Sequence, residues 1–248
     1  MKVKEIYSFL DKIAPFNTAA EWDNCGLSVG SLDAEVTKIL VALDVTADVI
    51  KEAKDIGAEL VLTHHPLIFN PVSSVPCDSL VYKAGESGIT FVSSHTCLDV
   101  SPVGVNACLG EKTGVKNLTR LHGESFLFMG EVEEQTSKSF AESVKSALGG
   151  AVTCTLSHKT VKRVAICSGA GGDLIAEASQ AGADVLLTGE AKHHEYLLSV
   201  QLGVSLVVAG HYETENIICQ RLCDLLTDEF KDEIQVQVSK TPSPCEYI

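Results

Sequence analysis

"DVIKEAKDIGAELVLT" (48–63) and "DLIAEASQAGADVLLT" (173–188) decide the fold, because the second lies over the first at a constant offset of 125. Eight of the sixteen positions are identical and most of the rest are conservative. In each copy a helical pattern stops at a glycine, Gly57 or Gly182, and a short apolar run follows that is too brief for a second helix. Working outward, "TKILVALD" (37–44) falls on "KRVAICSG" (162–169) at the same offset. Downstream, "GITFVSSH" (88–95) resembles "GVSLVVAGH" (203–211) with small changes of length. Each copy therefore reads as strand, helix, strand, helix, strand. The predicted strands are Lys38–Leu43, Leu60–Thr63 and Ile89–Ser93, then Arg163–Cys167, Asp184–Thr188 and Ser205–Ala209. Helices are expected near 46–56 and 173–182. Alternating strands and helices imply βαβ units and mostly parallel sheets.

The expectation is an α/β protein of two related lobes produced by an internal duplication, the first over 1–125 and the second over 126–248. Residues 125–157 add a strand, a helix and a strand near the boundary. The C-terminal "EIQVQVSK" (233–240) reads as a strand that either completes the second lobe or returns to the first.

Composition narrows the class of function. At 45% hydrophobic and 21% charged residues, the chain reads as an ordinary soluble globular protein. Its formal net charge of −14, with no cluster of lysine or arginine, argues against a surface built to hold a nucleic-acid backbone. Nine cysteines, an odd number with no C-x-x-C pair, favour a reducing cytoplasm over an oxidising compartment. Cys219 and Cys223, one helical turn apart, read as packing residues. "MKVKEIYSFLDKIAPF" is an amphipathic helix rather than a signal peptide, and no apolar stretch approaches the length of a membrane span. "CEYI" at the C-terminus is a poor match to a prenylation box.

Chemistry gathers at the strand ends. "LVLTHHPLIF" (60–69) stops at His64 and His65, and Pro66 keeps His65 out of helical geometry. Within a pleat the two side chains would point apart; beyond it they are able to converge. His95 follows the next strand with Asp99 four residues on, and His211 follows the matching strand of the second copy with Glu215 four residues on. Groups beyond the carboxyl ends of strands are where α/β proteins place their function. A lone histidine there is usually a hydrogen-bonded cap. Histidines at matching strand ends in both copies, each with a carboxylate, instead point to a metal site between the lobes. Imidazoles with carboxylates suit zinc, iron(II), manganese or cobalt better than calcium or magnesium. Five or six ligands exceed one tetrahedral zinc, so two ions are the economical reading.

Weaker signals remain open. Glu190 in "TGEAKHHEY" (188–196) reads equally as a proton carrier and as a helix N-terminal acid. His193 and His194 fall on a helix, with one of them a candidate to face the cleft. "SGAGGD" (168–173) is a plain turn or a phosphate cradle, with the turn favoured because the full phosphate-loop pattern is missing. "WDNCGL" (22–27) reads as a turn in which Asp23 and Asn24 cap a helix or orient a loop, with no catalytic role for Trp22 or Asn24. His122 and His158 read as surface or packing residues.

Taken together, "EWDNCGLSVG" (21–30), "LTHHPLIF" (62–69), "SHTCLDVSPVGVN" (94–106), "LLTGEAKHH" (186–194) and "AGHYETEN" (209–216) resemble the NIF-three-like family of dinuclear metal-centre proteins. Its members are often labelled type-two GTP cyclohydrolase homologues, and the resemblance covers essentially the whole chain. It implies His64, His65, Asp99, His211 and Glu215 as ligands of two divalent ions, with His95 beside them. It also implies a homohexameric ring, a trimer of dimers, whose sites face an internal cavity. The expected activity is metal-dependent hydrolysis of a nucleotide or another phosphorylated small molecule, with His95 or Glu190 moving the proton. The competing expectation is a non-catalytic metal-binding ring for storage, regulation or scaffolding.

Overall fold

The computed structural model describes residues 1–123, 125–157 and 159–246. His158, together with Tyr247 and Ile248 of the C-terminal "CEYI", lies outside the described residues. The chain forms two compact units, Met1–Val103 with Ile218–Ser243, and Gly104–Ile217 with the residues from Pro244.

In the first unit the order is α1 (Val3–Ile13), β1 (Gly26–Val29), β2 (Lys38–Ala42), α2 (Ala47–Ile56), β3 (Leu60–Thr63), α3 (Leu80–Glu86), β4 (Thr90–Ser93) and α4 (Thr96–Asp99). The second holds α5 (Val105–Thr113), β5 (Lys116–Arg120), β6 (Phe128–Thr136), α6 (Ser137–Leu148), β7 (Thr153–Thr155) and β8 (Thr160–Cys167). It continues with α7 (Ile175–Gln180), β9 (Val185–Thr188), α8 (His193–Leu202), β10 (Ser205–Val208) and α9 (His211–Glu215). The chain then forms α10 (Ile217–Phe230) and ends in β11 (Gln235–Val238).

The first sheet runs β1-β4-β3-β2-β11 and the second β5-β6-β8-β9-β10-β7. β2, β3 and β4 are parallel neighbours, and so are β8, β9 and β10. Each unit thus carries a β-α-β-α-β run whose strands stay in sequential order. β3 and β9 are buried along their whole length, which is why "LVLT" and "VLLT" read as unbroken apolar runs rather than alternations.

Local chemistry sets the ends of these elements. The Thr46 side chain accepts from the backbone of Val49 to start α2, and Gly57 ends it in the left-handed region at φ +70°. α1 keeps Val3, Ile6, Phe9 and Leu10 buried, as the amphipathic spacing predicts. In the second unit, Val164, Ile166, Val185, Leu187 and Val207 pack with Leu109 and Phe140. Their neighbours Ala165, Leu186 and Leu206 pack with Ile175 and Ala178. That period-two alternation covers one sheet face with α5 and α6 and the other with α7.

The lobe boundary differs from the expected cut between 125 and 126. β5 pairs antiparallel with β6, and Leu109 and Val115 join the core of Phe140, so α5 and β5 belong to the second unit. β11 pairs in parallel with β2, which returns the C-terminal strand to the first sheet. Sequence periodicity locates strands but carries no record of which sheet edge a flanking strand joins. Among the described residues, no helix is long and apolar enough to cross a membrane.

Phe140 is fully buried whereas Leu156 is 52% exposed. Phe140→Ala should lower unfolding stability by about 3–5 kcal/mol through loss of burial and an unfilled cavity. Leu156→Ala should change it by less than about 0.5 kcal/mol. Urea unfolding of both variants checks this, and equal midpoints would contradict the packing described.

Candidate metal centre

His64 and His65 stand just past the end of β3, where the backbone still bonds to its neighbour: His64 N donates to Ala42 O at 3.3 Å and His65 N to Leu43 O at 3.0 Å. The Thr63 hydroxyl donates to the His65 carbonyl at 2.7 Å and bends the chain there. The two rings do not diverge. Their centroids lie 5.0 Å apart, and the His95 ring lies 5.1 Å from His64 and 5.4 Å from His65. One ligand atom from each of the three falls within 4.8 Å of the other two, a group able to hold a metal ion.

Each ring is fixed at Nδ1. His64 Nδ1 is 2.9 Å from the Ser94 carbonyl, His65 Nδ1 is 2.7 Å from Asp44 Oδ1, and His95 Nδ1 is 2.8 Å from Asp23 Oδ1. A carbonyl oxygen or a carboxylate can only accept, so in the neutral form of each ring Nδ1 carries the proton. The lone pair therefore stays on Nε2, the arrangement that makes an imidazole a metal ligand or a base. Asp99 closes α4 and brings Oδ1 to 3.5 Å from His64 Nε2. Three oriented imidazoles with a carboxylate fit a divalent transition metal or zinc.

Asp23 is the residue that sequence reasoning placed in a turn and left there. Its carboxylate accepts from His95, from the Thr96 backbone at 3.0 Å, from the Thr96 hydroxyl, and from Cys25 Sγ at 3.0 Å. Burial alone would raise its pKa, but the hydrogen bonds from His95, Thr96 and Cys25 outweigh it and hold the group well below the usual carboxylate range. That stabilisation is complete at neutral pH and is lost only as the pH falls through the depressed folded value. Asp44 was also missed. It directly follows β2's apolar run in "VALD", and a carboxylate at a strand end beside a histidine pair was the available signal. Trp22 and Phe69 flank His95, each ring 6.1 Å from it, and Asn24 Nδ2 donates to the Ile68 carbonyl, joining the two loops.

In the second unit, His211 opens α9 and Glu215 closes it, so the i, i+4 spacing places His211 Nε2 2.9 Å from Glu215 Oε2. Glu190, in the loop after β9, lies 3.2 Å from His211 Nδ1 through Oε1. Glu215 is buried. Gly169 makes room for it: at φ +60°, a side-chain carbon there would overlap Glu215 Oε1.

In the same loop four backbone donors are engaged within the protein. Ser168 N donates to Asn106 Oδ1, Gly169 N to Thr214 Oγ1, Gly171 N to Thr188 Oγ1 and Gly172 N to the Glu190 carbonyl. With those donors committed, "SGAGGD" is a close-packed turn. His193 and His194 begin α8 and are exposed, and His194 lies 3.8 Å from Glu195. His122 is an exposed residue paired with Glu177 at 3.1 Å. Cys219 is buried and Cys223 half-buried on α10, as packing residues should be.

The structure defines an α/β protein of two units, the first carrying a candidate metal centre of three oriented histidines with Asp99 and the second a His–Glu pair at the matching strand end. The Duf34/NIF3 (NGG1p interacting factor 3) family profile matches residues 1–244, and the chain belongs to that family. It is 32% identical over 262 residues to the GTP cyclohydrolase 1 type 2 homolog of Clostridium perfringens, which it matches over 100% of both chains. The homolog of the same name in Campylobacter jejuni is 32% identical over 255 residues, covering 98% of each. Among solved structures, Staphylococcus aureus protein SA1388 is 30% identical with a TM-score of 0.93, covering 100% of this chain and 99% of that one. Reduced HcgD from Methanocaldococcus jannaschii is 30% identical with a TM-score of 0.86, covering 97% and 98%.

Replacing Asp44 by Asn keeps the shape but allows the amide to donate to His65 Nδ1 and reverse the ring's proton. Asp44→Asn should weaken zinc or cobalt binding roughly 10- to 100-fold without changing the fold. Calorimetric titration of the metal-free protein measures this, and unchanged affinity would remove His65 from the ligand set.

Proposed function

We propose that the protein is a metal-dependent hydrolase acting on a nucleotide or a related phosphoester. The observation that carries this reading is the common orientation of His64, His65 and His95, each with a protonated Nδ1 tied to an acceptor. A histidine that merely packs in a core has no reason to share its tautomer with its neighbours. Three that converge with Nε2 in the same protonation state are a prepared donor set. The names of the curated relatives supply the substrate class.

In this reading His64, His65, Asp99, His211 and Glu215 hold two divalent ions, drawn from zinc, iron, manganese and cobalt. Such ions supply Lewis-acid polarisation of a substrate oxygen and lower the pKa of a bound water toward about 7. His95 keeps its basic Nε2 because Asp23 holds the proton on Nδ1, and it serves as the proton acceptor. Glu190, exposed and adjacent to His211 Nδ1, orients that ring and exchanges protons with solvent. The homohexamer, a trimer of dimers, belongs to the same proposal.

The test is elemental analysis of untagged protein paired with turnover of GTP and of a phosphodiester, for wild type and for His64→Ala and His95→Gln. The proposal expects about two metals per chain in wild type and loss of metal and turnover together in His64→Ala. For His95→Gln it expects metal to be retained while turnover falls by about 10²-fold or more. Two metals without turnover on either substrate would overturn the hydrolase in favour of a storage or scaffold role. No bound metal after reconstitution would overturn the site.

A further inference from the structure

Joined to the backbone N–H of His95 and to Asp23 by hydrogen bonds is a pair of thiols far apart in sequence. Cys97 Sγ is 3.6 Å from Cys25 Sγ. Cys25 sits in the segment leading into β1, whose first residue, Gly26, pairs with Ser93 at the end of β4. Cys97 sits in α4, which follows that same strand after two residues. The pairing of β1 with β4 therefore holds the two thiols side by side. Both are wired to the histidine's support. Cys25 Sγ donates to Asp23 Oδ2 at 3.0 Å, the His95 backbone N–H donates to Cys25 Sγ at 3.4 Å, and Cys97 Sγ lies 3.4 Å from the Ser94 hydroxyl.

We propose that Cys25 and Cys97 are a redox modification site that closes to a disulfide and loosens the hold on His95. A disulfide needs sulfurs about 2.05 Å apart, so the thiols must approach by roughly 1.5 Å, a distance within the reach of side-chain rotation. The oxidant is a hydroperoxide. One thiol reduces the O–O bond, giving a sulfenic acid and one water. The neighbouring thiol then attacks that sulfur, forming the S–S bond and releasing the second water. Two thiols thus lose two protons and two electrons, and hydrogen peroxide becomes two waters. Cys25 is half-buried and Cys97 buried, so peroxide enters from the Cys25 side. In a reducing compartment such a bond forms transiently and reverses with thiols.

The consequence follows from the hydrogen bonds. Closing the disulfide removes the S–H that Cys25 donates to Asp23, and Asp23 is what fixes the proton of His95. The oxidised protein should lose the fixed Nδ1 proton of His95 and with it turnover, by up to about 10²-fold, while metal affinity, set by the other residues, stays unchanged. The disulfide itself does not depend on the hydrolase reading; only this coupling rests on His95 as the proton acceptor.

The experiment uses full-length reduced protein treated with stoichiometric hydrogen peroxide, alkylated and digested under non-reducing conditions for mass mapping. A Cys25–Cys97 cross-linked peptide is expected, reversed by dithiothreitol and absent from Cys25→Ser and from Cys97→Ser. Exposed Cys77, Cys154 and Cys245 serve as internal controls for oxidant exposure. Turnover of GTP and of a phosphodiester by reduced and oxidised wild type, with long-range ¹H–¹⁵N correlation of His95, reads the coupling. Recovery of Cys25 and Cys97 as free thiols when the control cysteines are oxidised would overturn the site, as would their over-oxidation without a cross-link. A cross-link that leaves the His95 Nδ1 proton and turnover unchanged would overturn the coupling. Mapping on wild type decides the first question even where a variant fails to fold.

Discussion

The first unit depends on where three imidazole protons sit. A histidine ring can present a lone pair from either nitrogen, and in water the two forms exchange freely. Here the Ser94 carbonyl, Asp44 and Asp23 each take the Nδ1 proton, so the choice is made by the fold. Those acceptors come from the ends of β2 and β4 and from the segment before β1. The parallel order of β2, β3 and β4 is therefore what brings acceptors and rings together. Without that order His64 and His65 would be two neighbouring residues with independent surroundings.

The second unit solves a related problem by different means. His211 and Glu215 meet because a short helix gives them i, i+4 spacing, and the buried carboxylate needs space. Gly169 supplies the space, and the surrounding backbone N–H groups are spent on Asn106, Thr214 and Thr188. Gly169, Gly171 and Gly172 are required by close packing, since a side-chain carbon at each would meet Glu215, Cys167 or Glu195. The threonines at the ends of β3 and β9, identical in the two sequence copies, also act alike. Thr63 donates to the His65 carbonyl and Thr188 to the Gly169 carbonyl, so each strand's last residue shapes the loop that carries the chemistry.

Much of this was legible in the sequence. The offset repeat located β2, β3, β4, β8, β9 and β10 to within a few residues, because buried parallel strands and their glycine-stopped helices leave strong periodic patterns. His64, His65, His95, Asp99, His211 and Glu215 stand out in the sequence by their places after strands. The edges were not legible. β1 hides in "WDNCGLSVG", where Asp, Asn and Gly dominate, and pairing at a sheet edge leaves little hydrophobic signature. Asp23 and Asp44 were missed for a physical reason: a carboxylate that orients a histidine across 72 or 21 residues shares no local spacing with it. The same holds for Cys25 and Cys97, which no cysteine-spacing rule connects.

The most direct measurement is the protonation of the three imidazoles, read by long-range ¹H–¹⁵N correlation on metal-free full-length protein at neutral pH. His64, His65 and His95 should all show protonated Nδ1 and unprotonated Nε2, with the Nε2 resonances of the ligand rings moving when zinc is added. A proton on Nε2 of any one of them in the metal-free protein would contradict the arrangement from which the metal centre is argued.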